Sequence, residues 1–341
     1  MEMALIPIKN EQETHIPIDN NNFIPIGIHE SNTNTSKTPF IQANSEEISL
    51  SYLKEQCVIP VFTKDNEITI SHQEFIETAL SSLKTIFGNE QFDSPEIRVS
   101  HQIKGRTPDA LHIPAKDLQD HQRTTYYERM AFIIRIPSIS ENINGNRLSL
   151  TVGGVRAYNL ENLYNKKTYE KFKFFVGFQN MVCCNLCINT DGFQSEIRAM
   201  NCTDLEDKIM SVIRNYNAAK HLEAMKELLN YSLSERDFAQ LIGKGRLYQY
   251  LPKNEKSLLP ELLLNDSHFS TIAKDYYQDE SFCRDANGQI SMWEFYNLLT
   301  GSNKSSYLDT FLNRGVNAFE LAKGVSKALS DSNSDYAWFL S

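Results

Sequence analysis

The sequence has little cysteine. Six residues in 341, Cys57, Cys183, Cys184, Cys187, Cys202 and Cys283, are too few for a disulfide framework, and three of them crowd into five positions. Free thiols in a reducing cytoplasm are the expectation. No apolar run approaches the roughly 20 residues that a membrane span needs. The N-terminal string "MEMALIPIKNEQETHIPID" lacks the basic and apolar regions of a secretory signal. Positive charge is also short: the formal net charge is −9. That argues against indiscriminate binding to nucleic acid or anionic membrane, although local clustering matters more to a phosphate than the total. Three catalytic strings are missing: the nucleophile elbow GxSxG, the phosphate loop GxxxxGK[ST] and the zinc motif HExxH. "GKGR" at 243–246 is too short for a phosphate loop and reads as a helix end at Gly243 with a restart.

What is present is ample material for a core, with 41% hydrophobic and 11% aromatic residues, arranged in three zones. Residues 1–45 are rich in Asn, Thr, Ser, Pro and Glu and read as a disordered arm. Within it, Ile6-Pro7-Ile8, Ile16-Pro17-Ile18 and Ile24-Pro25-Ile26 are short extended strings, because a proline disfavours helix at the residue before it. They suit either strand addition to a partner protein or draping over the chain's own domain. Residues 46–200 read as a strand-rich α+β domain. "CVIPVF" and "EITI" are expected strands, and Ser71 with Glu74 forms a capping box for a helix ending before Gly88. Further strands are expected at "EIRVSHQIKG", "RMAFIIRIPSI", "RLSLTVGGV", "KFKFFVGFQ" and "MVCCNLCINT", bounded by turn signals at Gly105, Asn144-Gly145, Gly153-Gly154 and Asp191-Gly192. Residues 201–341 read as a helical region packed on that domain. It opens with a capping box at Thr203 and Glu206 and a helix running to Leu229, and it closes on a long helix from Ser305. The expected fold is therefore α+β: a central antiparallel sheet with a flanking helix and a helical C-terminal third.

Four patterns carry chemistry. "CRDANGQISMWE" at 283–294 matches a calcium loop at position 3 (Asp285), 5 (Asn287), 6 (Gly288), 8 (Ile290) and 12 (Glu294). Position 1 is Cys283, a soft thiol where a hard cation wants a carboxylate, and no second copy of the pattern occurs. A turn explains the string better. Cys184-x-x-Cys187 lacks the second ligand pair that zinc needs, so buried small hydrophobes are expected and no metal or cofactor is assigned. His101, His112 and His121 with Glu128 would make an acid–base or metal site if they converged, though unrelated surface histidines fit the spacing as well.

The fourth pattern is cations interleaved with aromatics. From Arg147 to Val176 there are six Lys or Arg against two acids. Arg156, Lys166, Lys167, Lys171 and Lys173 alternate with Tyr158, Tyr164 and Tyr169. Upstream, Arg98, His101, Lys104 and Arg106 fall on and after a strand. Lysines on phosphates with rings stacked on bases is how single strands are held. A solvated loop whose tyrosines close the core is the competing reading.

The strings "IRVSHQIKGRTPDA", "TYYERMAFIIRIPSI", "LSLTVGGVRAYNLENLYNKK", "GFQNMVCCNLCINTDG", "FAQLIGKGRLYQYLP" and "DYYQDESFCRDANGQISMWEFYNLLTGSNKSSYLDTFLNRGVNAFEL" resemble an uncharacterised bacterial family, number thirty-eight seventy-one of the domain-of-unknown-function series. The resemblance covers about residues 47–340. "GFQNMVCCNLC" is also loosely similar to an uncharacterised phage and plasmid family. The resemblance implies a place on mobile elements and no established activity. The sequence thus leads to a non-catalytic, non-membrane protein binding single-stranded DNA or RNA, with a histidine/carboxylate enzyme and an arm-mediated protein partner as rivals.

Overall fold

The structure, a computed structural model, describes residues 38–57, 69–88, 90–158 and 169–341. The Ile-Pro-Ile strings, most of "CVIPVF" and "EITI", and Tyr164, Lys166 and Lys167 lie outside the described residues.

After a short strand, β1 (Glu46–Ile48), and a helix, α1 (Leu50–Gln56), Ser71 and Glu74 close the expected capping box on α2 (His72–Phe87). Gly88 ends that helix at φ 58°. The next strands are β2 (Glu96–Val99), β3 (Gln102–Arg106), β4 (Arg123–Tyr127) and β5 (Arg129–Ile143). Asn144 and Gly145, at φ 49° and 78°, then make a tight hairpin into β6 (Asn146–Ala157). β7 (Glu170–Asn180), β8 (Leu186–Cys187) and β9 (Phe193–Ala199) complete an antiparallel sheet of order β1-β2-β5-β6-β7-β8, in which β9 also pairs with β7. β3 and β4 leave it as a separate two-stranded ribbon.

The sequence "EIRVSHQIKG", expected as one strand, is thus two. The Ser100 N–H donates to the Arg129 carbonyl at 2.9 Å and the Ser100 Oγ accepts the Arg129 N–H at 3.0 Å, so the chain changes partner there, from β5 to β4. Gly153-Gly154, expected as a turn, sits inside β6. The glycines serve packing: a Cβ on Gly154 would stand 2.4 Å from the Phe75 ring of α2. "MVCCNLCINT" is mostly a tight turn with Cys184 at φ 58°; only Leu186 and Cys187 pair as strand.

Helices follow: α3 (Cys202–Asn215), α4 (Ala218–Glu227), α5 (Glu235–Tyr248), α6 (Lys253–Lys256), α7 (Asp266–Gln278), α8 (Met292–Asn303) and α9 (Phe311–Ser330). α3 is capped by Asn201, whose side chain accepts the Asp204 N–H, rather than by Thr203, and the expected helix to Leu229 breaks at Asn217, the cap of α4. α5 runs straight through Gly243. Gly245 admits the Phe269 ring, which a Cβ would meet at 2.4 Å. Two-residue strands β10 (Ser232–Leu233) and β11 (Ile290–Ser291) pair Leu233 with Ile290. They join α4–α5 to α7–α8 as two helix–loop–helix units, each resuming helix at a capping box, Ser234/Asp237 and Ser291/Glu294.

Both sheet faces are covered. One packs Phe132, Val152, Phe172, Phe174 and Phe178 with Phe75 of α2 and with Ile209, Tyr296 and Phe319 of the helical region in one continuous core. The other buries Ala131, Ile133, Val155 and Phe175 beneath Phe311 and Leu312 of α9 and beneath Phe40 and Ile41. The described end of the arm therefore drapes over its own domain, held where Gln42 and Ala43 donate to the Lys304 carbonyl at 2.8 and 3.2 Å.

Candidate nucleic-acid interface at one end of the sheet

The residues singled out in the sequence divide into an interior set and a surface set. Arg156, near the end of β6, is 1% exposed. Its Nη2 donates to Oε2 of Glu170 on neighbouring β7, and its guanidinium lies 4.6 Å from the Tyr158 ring and 4.5 Å from the Phe172 ring. Glu170 also accepts the Ile70 N–H at 3.1 Å. Arg156 and Tyr158 are thus spent inside the protein, where neither meets a strand of nucleic acid. Lys173 is likewise committed. Its Nζ donates to the Asp309 carbonyl and to Asn313 Oδ1, both at 2.6 Å, and burial lowers its pKa against the pull of Asp309. Arg98 donates to the Ser45 carbonyl at 2.8 Å.

The surface set is His101, Lys104, Arg106, Tyr169 and Lys171. In the ribbon, Lys104 faces Thr125 and Arg106 faces Arg123, so alternation puts Lys104, Arg106 and Arg123 on one face. Arg106 is braced by the Ile113 carbonyl and Arg123 by the Leu118 carbonyl; Lys104 is exposed. Tyr169 is 47% exposed, and Lys171 beside it pairs with Glu196 at 2.9 Å. The ribbon base adjoins this point of the sheet. The Tyr158 N–H donates to the Glu128 carbonyl at 2.9 Å, and the Tyr126 and Tyr158 rings meet edge-on with centroids 6.3 Å apart. The ribbon that carries the first cationic pattern thus abuts, at its base, the end of the sheet that carries the second, while Lys104, Arg106 and Arg123 lie on the ribbon face opposite Tyr126.

A small cavity of about 20 Å³ opens at the same end, lined by Leu53, Cys57, Ser71, His72, Gln73, Tyr126, Tyr127 and Tyr158. Sequence reading missed His72. It is the first residue of α2, 5% exposed, and stacks on Tyr158 at 4.4 Å. Its Nε2 lies 2.8 Å from the Tyr127 carbonyl, which only accepts, so Nε2 carries the proton and Nδ1 is an acceptor. Nδ1 is buried with no hydrogen-bond partner among the described residues. Burial, and then the Arg156 charge, lower its pKa to about 3 and keep the ring neutral. Burial pushes the Cys57 thiol up to about 11.

The other patterns find no site. His101 and Glu128 flank the ribbon base, whereas His112 and His121 lie in the connection at its far end, roughly 13 Å away along five strand residues. Among the described residues no His, Cys, Asp and Glu group stands ready for a metal ion. In the 283–294 loop, Asp285 Oδ1 accepts the N–H groups of Asn287 and Gln289, and Glu294 folds back onto Ser291, so both carboxylates close a turn. Cys184 and Cys187 are buried, and the turn around them docks the helices: Asn185 donates to the Asn297 carbonyl and Lys304 to the Cys183 carbonyl. A larger open cleft, about 470 Å³ between α4, α9 and Asp331–Tyr336, touches none of the residues above. No helix is long and apolar enough to cross a membrane among the described residues.

One family model matches residues 20–340, that of "Domain of unknown function, B. Theta Gene description (DUF3871)". The chain belongs to this family. The match takes in the sheet, the ribbon and every helix, and it begins within the arm, so the sheet end lies wholly inside the DUF3871 region. No curated protein and no solved structure matches the chain.

Proposed function

We propose that this DUF3871 protein binds single-stranded nucleic acid, without catalysis, at the ribbon end of its sheet. The observation that carries the reading is the adjacency of two cationic–aromatic segments: the base of the ribbon that bears Lys104, Arg106 and Arg123 abuts the sheet where the chain departs after Tyr158 and returns at Tyr169. Between those points the sequence holds Tyr164, Lys166 and Lys167. Cations interleaved with tyrosines are the elements of a sequence-tolerant strand groove. Service to a mobile element, where single strands arise during transfer, is part of the same reading. The surface is narrower than the sequence alone suggests, because Arg156, Tyr158 and Lys173 belong to the interior.

The test is a salt titration of a fluorescent oligonucleotide with wild type and with Lys104, Lys166, Lys167 and Lys171 all changed to Gln. Each lost phosphate contact removes about 0.7 from the slope of log K against log salt on a single strand, so four remove about 3. An unchanged affinity and slope would sink the proposal.

A further inference from the structure

We infer that the cleft between α4, α9 and the C-terminal turn binds a small zwitterion, an ammonium and a carboxylate on one partly apolar body, as in a short peptide or a free amino acid. The inference is independent of the nucleic-acid reading, since the cleft shares no residue with the ribbon end of the sheet. Its volume of about 470 Å³ falls within the roughly 300–1,000 Å³ typical of small-ligand sites. Gly324 shapes one wall: it lets the Tyr336 ring lie against α9, where a Cβ would stand 2.3 Å away. Ala224, Leu228 and Tyr231 supply apolar and aromatic surface on the α4 side.

The charges name the ligand. Lys323 and Lys327 stand one turn apart on α9, and both line the cleft. At that spacing two cations repel. Glu227 at the end of α4 and Asp335 in the C-terminal turn line it too. None of these four side chains has a hydrogen bond or an ion pair among the described residues. The other two acids of the cleft are engaged: Glu320 accepts the Thr190 hydroxyl at 2.9 Å and Asp331 the Asn333 N–H at 3.0 Å. A simple anion drawn to the lysines would face four carboxylates, and a simple cation drawn to the carboxylates would face two ammonium groups. A molecule of both signs answers each demand. Its carboxylate accepts from Lys323 and Lys327, its ammonium donates to Glu227 and Asp335, and its apolar part lies on Leu228 and the tyrosines.

The experiment titrates the full chain with the dipeptide alanylphenylalanine and with free phenylalanine, each also in N-acetylated and C-terminally amidated form, by saturation-transfer NMR. At least one free zwitterion should bind at millimolar concentration or below, and the tighter of the two tells peptide from amino acid. Each capped form should bind about tenfold more weakly than its parent, the effect of one lost charge-assisted hydrogen bond. Lys323→Gln with Lys327→Gln should abolish the discrimination against the amides and keep that against the acetylated forms. Glu227→Gln with Asp335→Asn should do the reverse. All four side chains are exposed, where substitutions leave a fold largely undisturbed. Absence of saturable binding by both zwitterions at millimolar concentration would overturn the inference. Equal binding of free and capped forms to wild type, or discrimination unaltered in both folded double variants, would overturn it too. Should a variant misfold, the capped series on wild type decides.

Discussion

Glu170→Gln puts a number on the buried ion pair. The carboxylate, 2% exposed, holds the 1% exposed Arg156 and the Ile70 N–H together. Glutamine keeps the shape and an acceptor for Ile70, but it takes away the carboxylate charge that faces the buried guanidinium. Removing one partner of a buried pair costs about 3–5 kcal/mol, because the surviving charge stays desolvated. The Tyr158 and Phe172 rings flanking Arg156 return part of that, of the order of 1 kcal/mol. A loss of about 2–4 kcal/mol follows, read as a lowered urea midpoint at unchanged slope. Arg156→Met in the same background removes the buried positive charge as well and should recover at least about 1 kcal/mol, which a double-mutant cycle measures as non-additivity. A shift below about 1 kcal/mol for Glu170→Gln, or simple additivity in the double variant, would refute the placement of Arg156 as a structural cation.

Two further outcomes concern the fold. Burial lowers the pKa of His72 and His221 to about 3 and that of His268 to about 4, with Arg156 and Arg314 adding to the first and last. Below the unfolded value near 6.5 the unfolded chain takes up protons that the folded chain refuses, so stability present above pH 6.5 drains away as pH falls towards 4. Each histidine contributes up to about 1.4 kcal/mol per pH unit; urea unfolding at pH 5 should show at least about 2 kcal/mol less than at pH 7, and equal stability would contradict the burial. Gly154→Ala drives a methyl to within 2.4 Å of the Phe75 ring and 2.8 Å of the Lys173 carbonyl. Over-packing of that kind costs about 1–3 kcal/mol; a melting temperature unchanged in the alanine variant would mean that α2 does not press on β6 there.

Local rules made much of the fold legible. The capping box at Ser71 and the turn at Asn144-Gly145 survive, because each depends on neighbours a few residues away. Long-range packing hid the rest. Gly153-Gly154 and Gly243 read as breaks, since nothing nearby in sequence announces the Phe75 ring or a helix that simply continues. The second helix–loop–helix unit was invisible because the loop before Ser234 carries no ligand pattern, only the pairing of Leu233 with Ile290. At the candidate site, counting cations found the right end of the sheet but not which of them reach solvent. Arg156 and Lys173 look alike in sequence to Lys104 and Lys171; only the positions of Glu170 and Asn313 divide them. His72 was passed over because one histidine in a helix start carries no motif.

Titration of labelled single-stranded RNA, single-stranded DNA and duplex DNA with the wild-type chain at 50 and 200 mM salt tests nucleic-acid binding most directly. Micromolar or tighter binding of a single strand that weakens steeply with salt is the expected result. No binding of any strand at the lower salt would contradict it, and the cations at the end of the sheet would then be a solvated rim.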